Sequence, residues 1–207
     1  MAAVVVSVLV ATVGILYLEG IPPIGHPPGT HHPTGPVTFR VARQQAEGAV
    51  SGYHGGGWSL IAGGALMTQA TIGLPNASLG SQLSNLVPGC PLSWLGGSQT
   101  EVIPSFSGNS STGLSPFWGL VFRNASEGLL LVSVINGSAI LSAHVAGTAN
   151  CNLSLGIALI GALPSDLPDS DVIASAAGSA GGFPFLKAHP GADASMVLVG
   201  GLSLFTF

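Results

Sequence analysis

Asparagine is the first residue type in this chain whose spacing points to chemistry. Five of its seven asparagines open the triplet Asn-X-Ser, at Asn76, Asn109, Asn124, Asn136 and Asn152. Ser and Thr fill about 16% of positions, so chance placement yields roughly one such triplet. The excess points to N-linked glycans on an exported domain, which would also solubilise a surface poor in charge. The plainer alternative is that Asn and Ser simply share loops.

Histidine comes second. His26, His31 and His32 fall in IPPIGHPPGTHHPTGP, residues 21–36, and neutral imidazole is a common zinc or copper ligand. A structural zinc site wants four ligands held tetrahedrally, and this segment offers three with no acid or cysteine beside them. Its six prolines forbid a regular helix or a paired strand and favour polyproline II, so the segment reads as a spacer and no metal is expected. His54, His144 and His189 remain as candidates for a hydrolytic cleft with an acid and a serine, but no Gly-x-Ser-x-Gly, Ser-x-x-Lys or His-Glu-x-x-His motif supports one. Asp166, Asp169 and Asp171 lack the alternating oxygen ligands and terminal Glu of a calcium loop, and read as helix caps. No cofactor motif is present, and no catalytic residue is assigned.

Cys90 and Cys151 are an even pair in a chain that looks exported. One disulfide between them is expected, with two inert buried thiols as the alternative. Closing a loop of that size stabilises a fold by roughly 4 kcal/mol in the chain-entropy model.

The elements that must hold these residues follow from pattern. Residues 1–18, MAAVVVSVLVATVGILYL, carry no charge, and as a helix span about 27 Å, close to the hydrocarbon thickness of a bilayer. Residues 1–20 are therefore expected to be a single apolar helix, either anchored in lipid or packed against copies of itself. A cleaved signal peptide is the weaker alternative, because Leu18-Glu19-Gly20 is a poor cut site, and a buried core helix is another. No basic residue precedes the run, so either a basic leader comes before it or orientation is set otherwise. Residues 21–37 then form a stalk reaching about 45 Å.

The domain is expected over residues 38–207. Thr38 reads as the N-cap of a helix, FRVARQQAEGAV, with Phe39, Ala42, Ala46 and Val50 on its apolar side and Gly48 and Gly52 limiting its end. WSLIAGGALM and TQATIGL read as strands, and residues 80–115 as a long loop region. PFWGLVF, GLLLVSVI and SAILSAHV should form an antiparallel meander, because Asn136-Gly137 between two apolar runs signals a type I′ hairpin. Simple alternation in the third strand puts Ser138, Ser142 and His144 on its solvent side. LSLGIALIGAL is strand or helix, Asp169-Ser170-Asp171 opens a short helix, PFLKAHP adds a turn, and SMVLVGGLSLFTF ends the chain as a strand. Leu60-Ile-Ala-Gly-Gly64 and Val197-Leu-Val-Gly-Gly201 echo one another, which marks either a duplicated unit or coincidence.

The 207 residues carry only 6% charged side chains and a net charge of −4, where a soluble domain carries roughly 25% charged residues. Four basic side chains leave no electrostatic footprint for nucleic acid. The layout of apolar segment, Pro-rich stalk, helix at Thr38, WSL strand and Asp-Ser-Asp helix followed by FLKAHP resembles membrane-anchored extracytoplasmic proteins of archaea with PepSY or cystatin-like helix-on-sheet modules. That resemblance carries no catalytic residue to this chain. The expectation is an α+β domain, an antiparallel sheet packed on one or two helices behind a single N-terminal apolar helix. Its role would be binding or envelope structure in a glycosylated surface protein, its partners the lipid bilayer or its own copies through residues 1–20. A pilin-like filament subunit is the alternative, and an extracytoplasmic hydrolase the third.

Overall fold

The computed structural model describes residues 35–67, 69–70, 92–94, 106–126, 128–146, 160–200 and 202–206, the short segments 69–70, 92–94, 106–107 and 202–206 by backbone alone. The expected anchor helix and the stalk histidines His26, His31 and His32 lie outside the described residues, as do Asn76, Asn152, Cys90 and Cys151. Among the described residues no helix is long and apolar enough to cross a membrane.

The fold is α+β. Nine strands are described: β1 (Ser59–Leu66), β2 (Gln69–Ala70), β3 (Leu92–Trp94), β4 (Phe106–Ser107), β5 (Phe117–Asn124), β6 (Gly128–Ile135), β7 (Ser138–Ala146), β8 (Ser195–Val199) and β9 (Leu202–Thr206). Three helices accompany them: α1 (Phe39–Val50), α2 (Ser170–Ala177) and α3 (Phe183–Ala188), with a π-helical turn, Gly178–Gly182, joining the last two. Seven strands form one sheet in the order β3-β7-β6-β5-β1-β8-β9, every neighbouring pair antiparallel. β2 and β4 pair separately.

The meander β5-β6-β7 forms as its sequence dictates. Asn136 and Gly137 take φ of 47° and 83°, the left-handed pair whose twist matches the flanking strands. Both faces of this sheet are buried. On one face lie Leu60, Ala65, Trp118, Leu120, Phe122, Leu130, Val132, Val134, Met196 and Leu198; on the other Val121, Leu129, Leu131, Ala143 and Val145. Burial on both sides explains why β5 and β6 read as continuous apolar runs instead of alternating ones.

Helix α1 covers the first face, lying mainly across β7 and also over β6 and β5. Its buried side is Phe39, Ala42, Ala46 and Val50, the stripe its sequence spacing predicts. Phe39 sits over Gly63 of β1: a Cβ there would come 2.7 Å from the Phe39 ring and 2.8 Å from Leu120. Small size at Gly63 is what lets helix and sheet approach. The helix ends at Val50, the bound its sequence predicts, between Gly48 and Gly52.

The chain enters this core before residue 38. Gly35 donates its N–H to the Asn136 carbonyl, Val37 bridges Ser115, and the Trp118 indole donates to the Val37 carbonyl at 2.9 Å. Val37 is 4% exposed, so the last residues of the expected stalk already belong to the packed domain.

Several expectations are corrected. SMVLVGGLSLFTF is two paired antiparallel strands, β8 and β9, not a single strand. The region expected as a long loop supplies the edge strand β3 and the short strand β4. The echoed glycines differ in setting: Gly63 and Gly64 lie inside β1, whereas Gly200 follows the end of β8.

His144 is also corrected. It is 7% exposed and faces the helix side, not solvent. Val132 pairs Leu141 but Leu131 pairs Ala143, so Ser142 is an extra residue in β7. Such a bulge reverses the inside-outside alternation beyond it, which carries His144 to the face of its partner Leu130. Ser142 itself is buried and shares a hydrogen bond of 2.8 Å with Ser133.

Candidate functional site

The structure gathers two groups of chemistry-bearing side chains at one end of the sheet. After α1 the chain turns through Tyr53–Gly55 and into β1, with left-handed backbone at His54 (φ 46°), Gly55, Gly56 and Gly57. Three glycines take this conformation without steric cost, whereas His54 is a non-glycine residue held there by its surroundings. The turn folds Tyr53 back beside Trp58, whose indole donates to the Tyr53 carbonyl at 3.0 Å.

His144 completes the group. Its ring is edge-on to Tyr53 at 5.7 Å, to Trp58 at 5.7 Å and to His54 at 5.5 Å between centroids, while Tyr53 and His54 stack at 4.2 Å. His144 pairs with Leu130 at this end of the core, and the cluster buries its imidazole while leaving that of His54 exposed. Two of the three candidate histidines are therefore together. The third, His189, is exposed and stacks on Phe185 at 4.4 Å, on the other helical segment. Among the described residues no group of three or more His, Cys, Asp or Glu side chains is poised to hold a metal.

The second group is a sequon. Asn124 ends β5, and its Oδ1 accepts from the Ser126 N–H at 2.9 Å and the Ser126 hydroxyl at 2.8 Å. Its Nδ2 donates to the Gly56 carbonyl at 2.9 Å, so this carboxamide is tied to the loop that carries Tyr53, His54 and Trp58. Asn109 makes the same local turn: its Oδ1 accepts from the Ser111 N–H at 2.9 Å, the Ser111 hydroxyl at 2.6 Å and the Thr112 N–H at 3.2 Å. Asn109 is exposed and Asn124 half-buried. Asn136 is exposed at the tip of the β6-β7 turn, with Ser138 already paired in β7.

These sites divide between the two ends of the sheet. Gly35, where the chain arrives from the N-terminal side, touches Asn136, and the Val37-Ser115 bridge lies beside the Asn109-Leu114 bridge. Asn124 and the histidine cluster lie at the opposite end of β5, about 25 Å away along an eight-residue strand.

Of the three acids, Asp169 and Asp171 lie at a helix start and Asp166 does not. Asp169 is the N-cap of α2, its Oδ1 accepting from the Ser170 N–H at 2.8 Å, and the same oxygen accepts from the Arg40 N–H of α1 at 2.8 Å. The Ser170 hydroxyl accepts from the Phe39 N–H at 2.9 Å. One Asp-Ser pair thus satisfies the first turns of two helices, and Thr38, expected to cap α1, makes no side-chain cap bond. Asp171 accepts from the Val172 N–H at 2.7 Å, and Asp166 is exposed in a turn.

The aromatic-imidazole cluster was not legible as a unit in the sequence. Its one local signal is Tyr-His-Gly-Gly-Gly-Trp, a glycine run able to fold two aromatic residues together. Nothing in SAILSAHV announces the bulge that turns His144 inward. No protein-family model matches this chain, and no curated protein and no solved structure matches it either.

Proposed function

We propose that this chain is a glycosylated, extracytoplasmic surface protein. Residues 1–20 tether it in the cell membrane, and its α+β domain is held off the surface by residues 21–34. The observation that carries the reading is the run of five Asn-X-Ser triplets in a chain with 6% charged residues. Support comes from the three described sequons, Asn109, Asn124 and Asn136, which all fall at turns or strand ends. In two of them the serine hydroxyl already rests on the asparagine carboxamide.

The role is binding or envelope architecture. Supporting a binding role, the Tyr53, Trp58, His54 and His144 cluster lies at the end of the sheet away from Gly35, the end a stalk would present outward. Washing membranes with alkaline carbonate tests the tether. The chain should stay with the lipid and enter solution only with detergent. Recovery of shed filaments built of this chain, seen by electron microscopy, would instead establish a pilin-like subunit with residues 1–20 in the filament core.

A further inference from the structure

The three described sequons are not equivalent, and the difference separates an acceptor from a structural asparagine. Transfer of a saccharide from a lipid-linked phosphate donor forms a bond between the asparagine Nδ2 and the anomeric carbon. The bond from that carbon to the phosphate oxygen breaks, the phosphate leaves as an anion, and one Nδ2 proton passes to a base. The reaction therefore needs an Nδ2 with open space in front of it and a sequon hydroxyl on the same carboxamide.

Asn109 meets both conditions. Its three side-chain hydrogen bonds all end on Oδ1, the Ser111 hydroxyl at 2.6 Å among them, and the residue is exposed. Asn124 keeps the hydroxyl contact but directs Nδ2 to the Gly56 carbonyl at 2.9 Å. Gly57 passes close to the same nitrogen, since a Cβ added to it would come 3.2 Å from Nδ2. Attack by this Nδ2 on a saccharide donor would require it to turn away from the Gly56 carbonyl and release the loop.

Resting on the glycoprotein reading above, we infer that Asn109 is a glycan acceptor in the folded protein. Asn124, though a sequon, acts as a latch that holds the Tyr53–Gly57 loop and its His54 and Tyr53 rings against His144. The loop needs such a latch because four successive residues in it are left-handed, one of them His54.

Glycopeptide mass spectrometry of protein taken from its native membranes reads the occupancy of each site. Occupancy at Asn109 should exceed that at Asn124 at least tenfold, and equal occupancy overturns the proposal. In protein made without glycosylation, Asn124→Ala should lower the melting temperature by about 2–4 °C and Asn109→Ala by less. Equal or reversed shifts overturn the latch. Sugar on no sequon at all refutes the glycoprotein reading and the acceptor assignment with it, while the melting temperatures still decide the latch.

Discussion

At the scale of single residues, two positions govern how helix meets sheet. Gly63 lies under Phe39 with no room for a methyl group, against a ring that is itself 2% exposed and tilted on Trp118 at 5.4 Å. Gly63→Ala should destabilise the domain by about 1–3 kcal/mol, as overpacking of a close contact does, and a denaturant titration would read it as a lowered midpoint at unchanged slope. A neutral result would mean that α1 can lift from β1 without cost. His144 is the second position. Alternation put it on the solvent side; the bulge at Ser142 turns it to the face of Leu130, and burial of both sheet faces makes it a packed ring. Alternation was legible in SAILSAHV but the bulge was not, because a bulge leaves composition unchanged and only shifts which partner each residue meets.

The elements themselves were largely readable. The apolar stripe of α1, the Asn136-Gly137 turn and the acidic start of α2 each follow from local rules that the final packing respects. What local rules could not supply was the partner of each end. Thr38 has the right chemistry for a cap, yet the first amides of α1 are satisfied by Ser170 and Asp169, about 130 residues further along the chain. Both helices thus start from one Asp-Ser pair.

Two expectations follow for this shared cap. Ser170→Ala leaves the buried Phe39 N–H without its acceptor and should cost about 1–3 kcal/mol. Asp169→Ala removes the acceptor of two amides and should cost about 1–2 kcal/mol, with Asp169→Asn recovering most of it. Chemical denaturation of the three variants checks this. Thr38→Ala should fall near zero, and a large loss there would contradict the shared cap. The pairing of β8 with β9 was missed for a related reason: VLVGG reads like LIAGG in sequence, and only pairing shows that one runs on as a strand and the other stops at Val199.

For the molecule as a whole, an antiparallel sheet buried on both faces and a chain of few charges belong together. Eight acidic side chains serve 207 residues, and the described ion pairs are Arg40 with Asp169 and Arg43 with Glu47. Acid unfolding arises mostly from proton uptake by carboxylates that the native state needs ionised, so a chain with few of them has little to lose. The domain should keep its far-ultraviolet circular dichroism at pH 2.5, and collapse of the signal there would contradict the argument. Sparse charge also leaves solubility to other groups, which is the work assigned here to glycans. The proposed tether would turn the ring cluster outward, since residue 35 lies beside Asn136 and the cluster sits at the far end of β5. The intact mass of the chain, extracted by detergent from carbonate-washed membranes, tests the central claim most directly. It should exceed the polypeptide mass by whole glycan units and return to it on deglycosylation. An unmodified chain recovered without detergent would contradict the account.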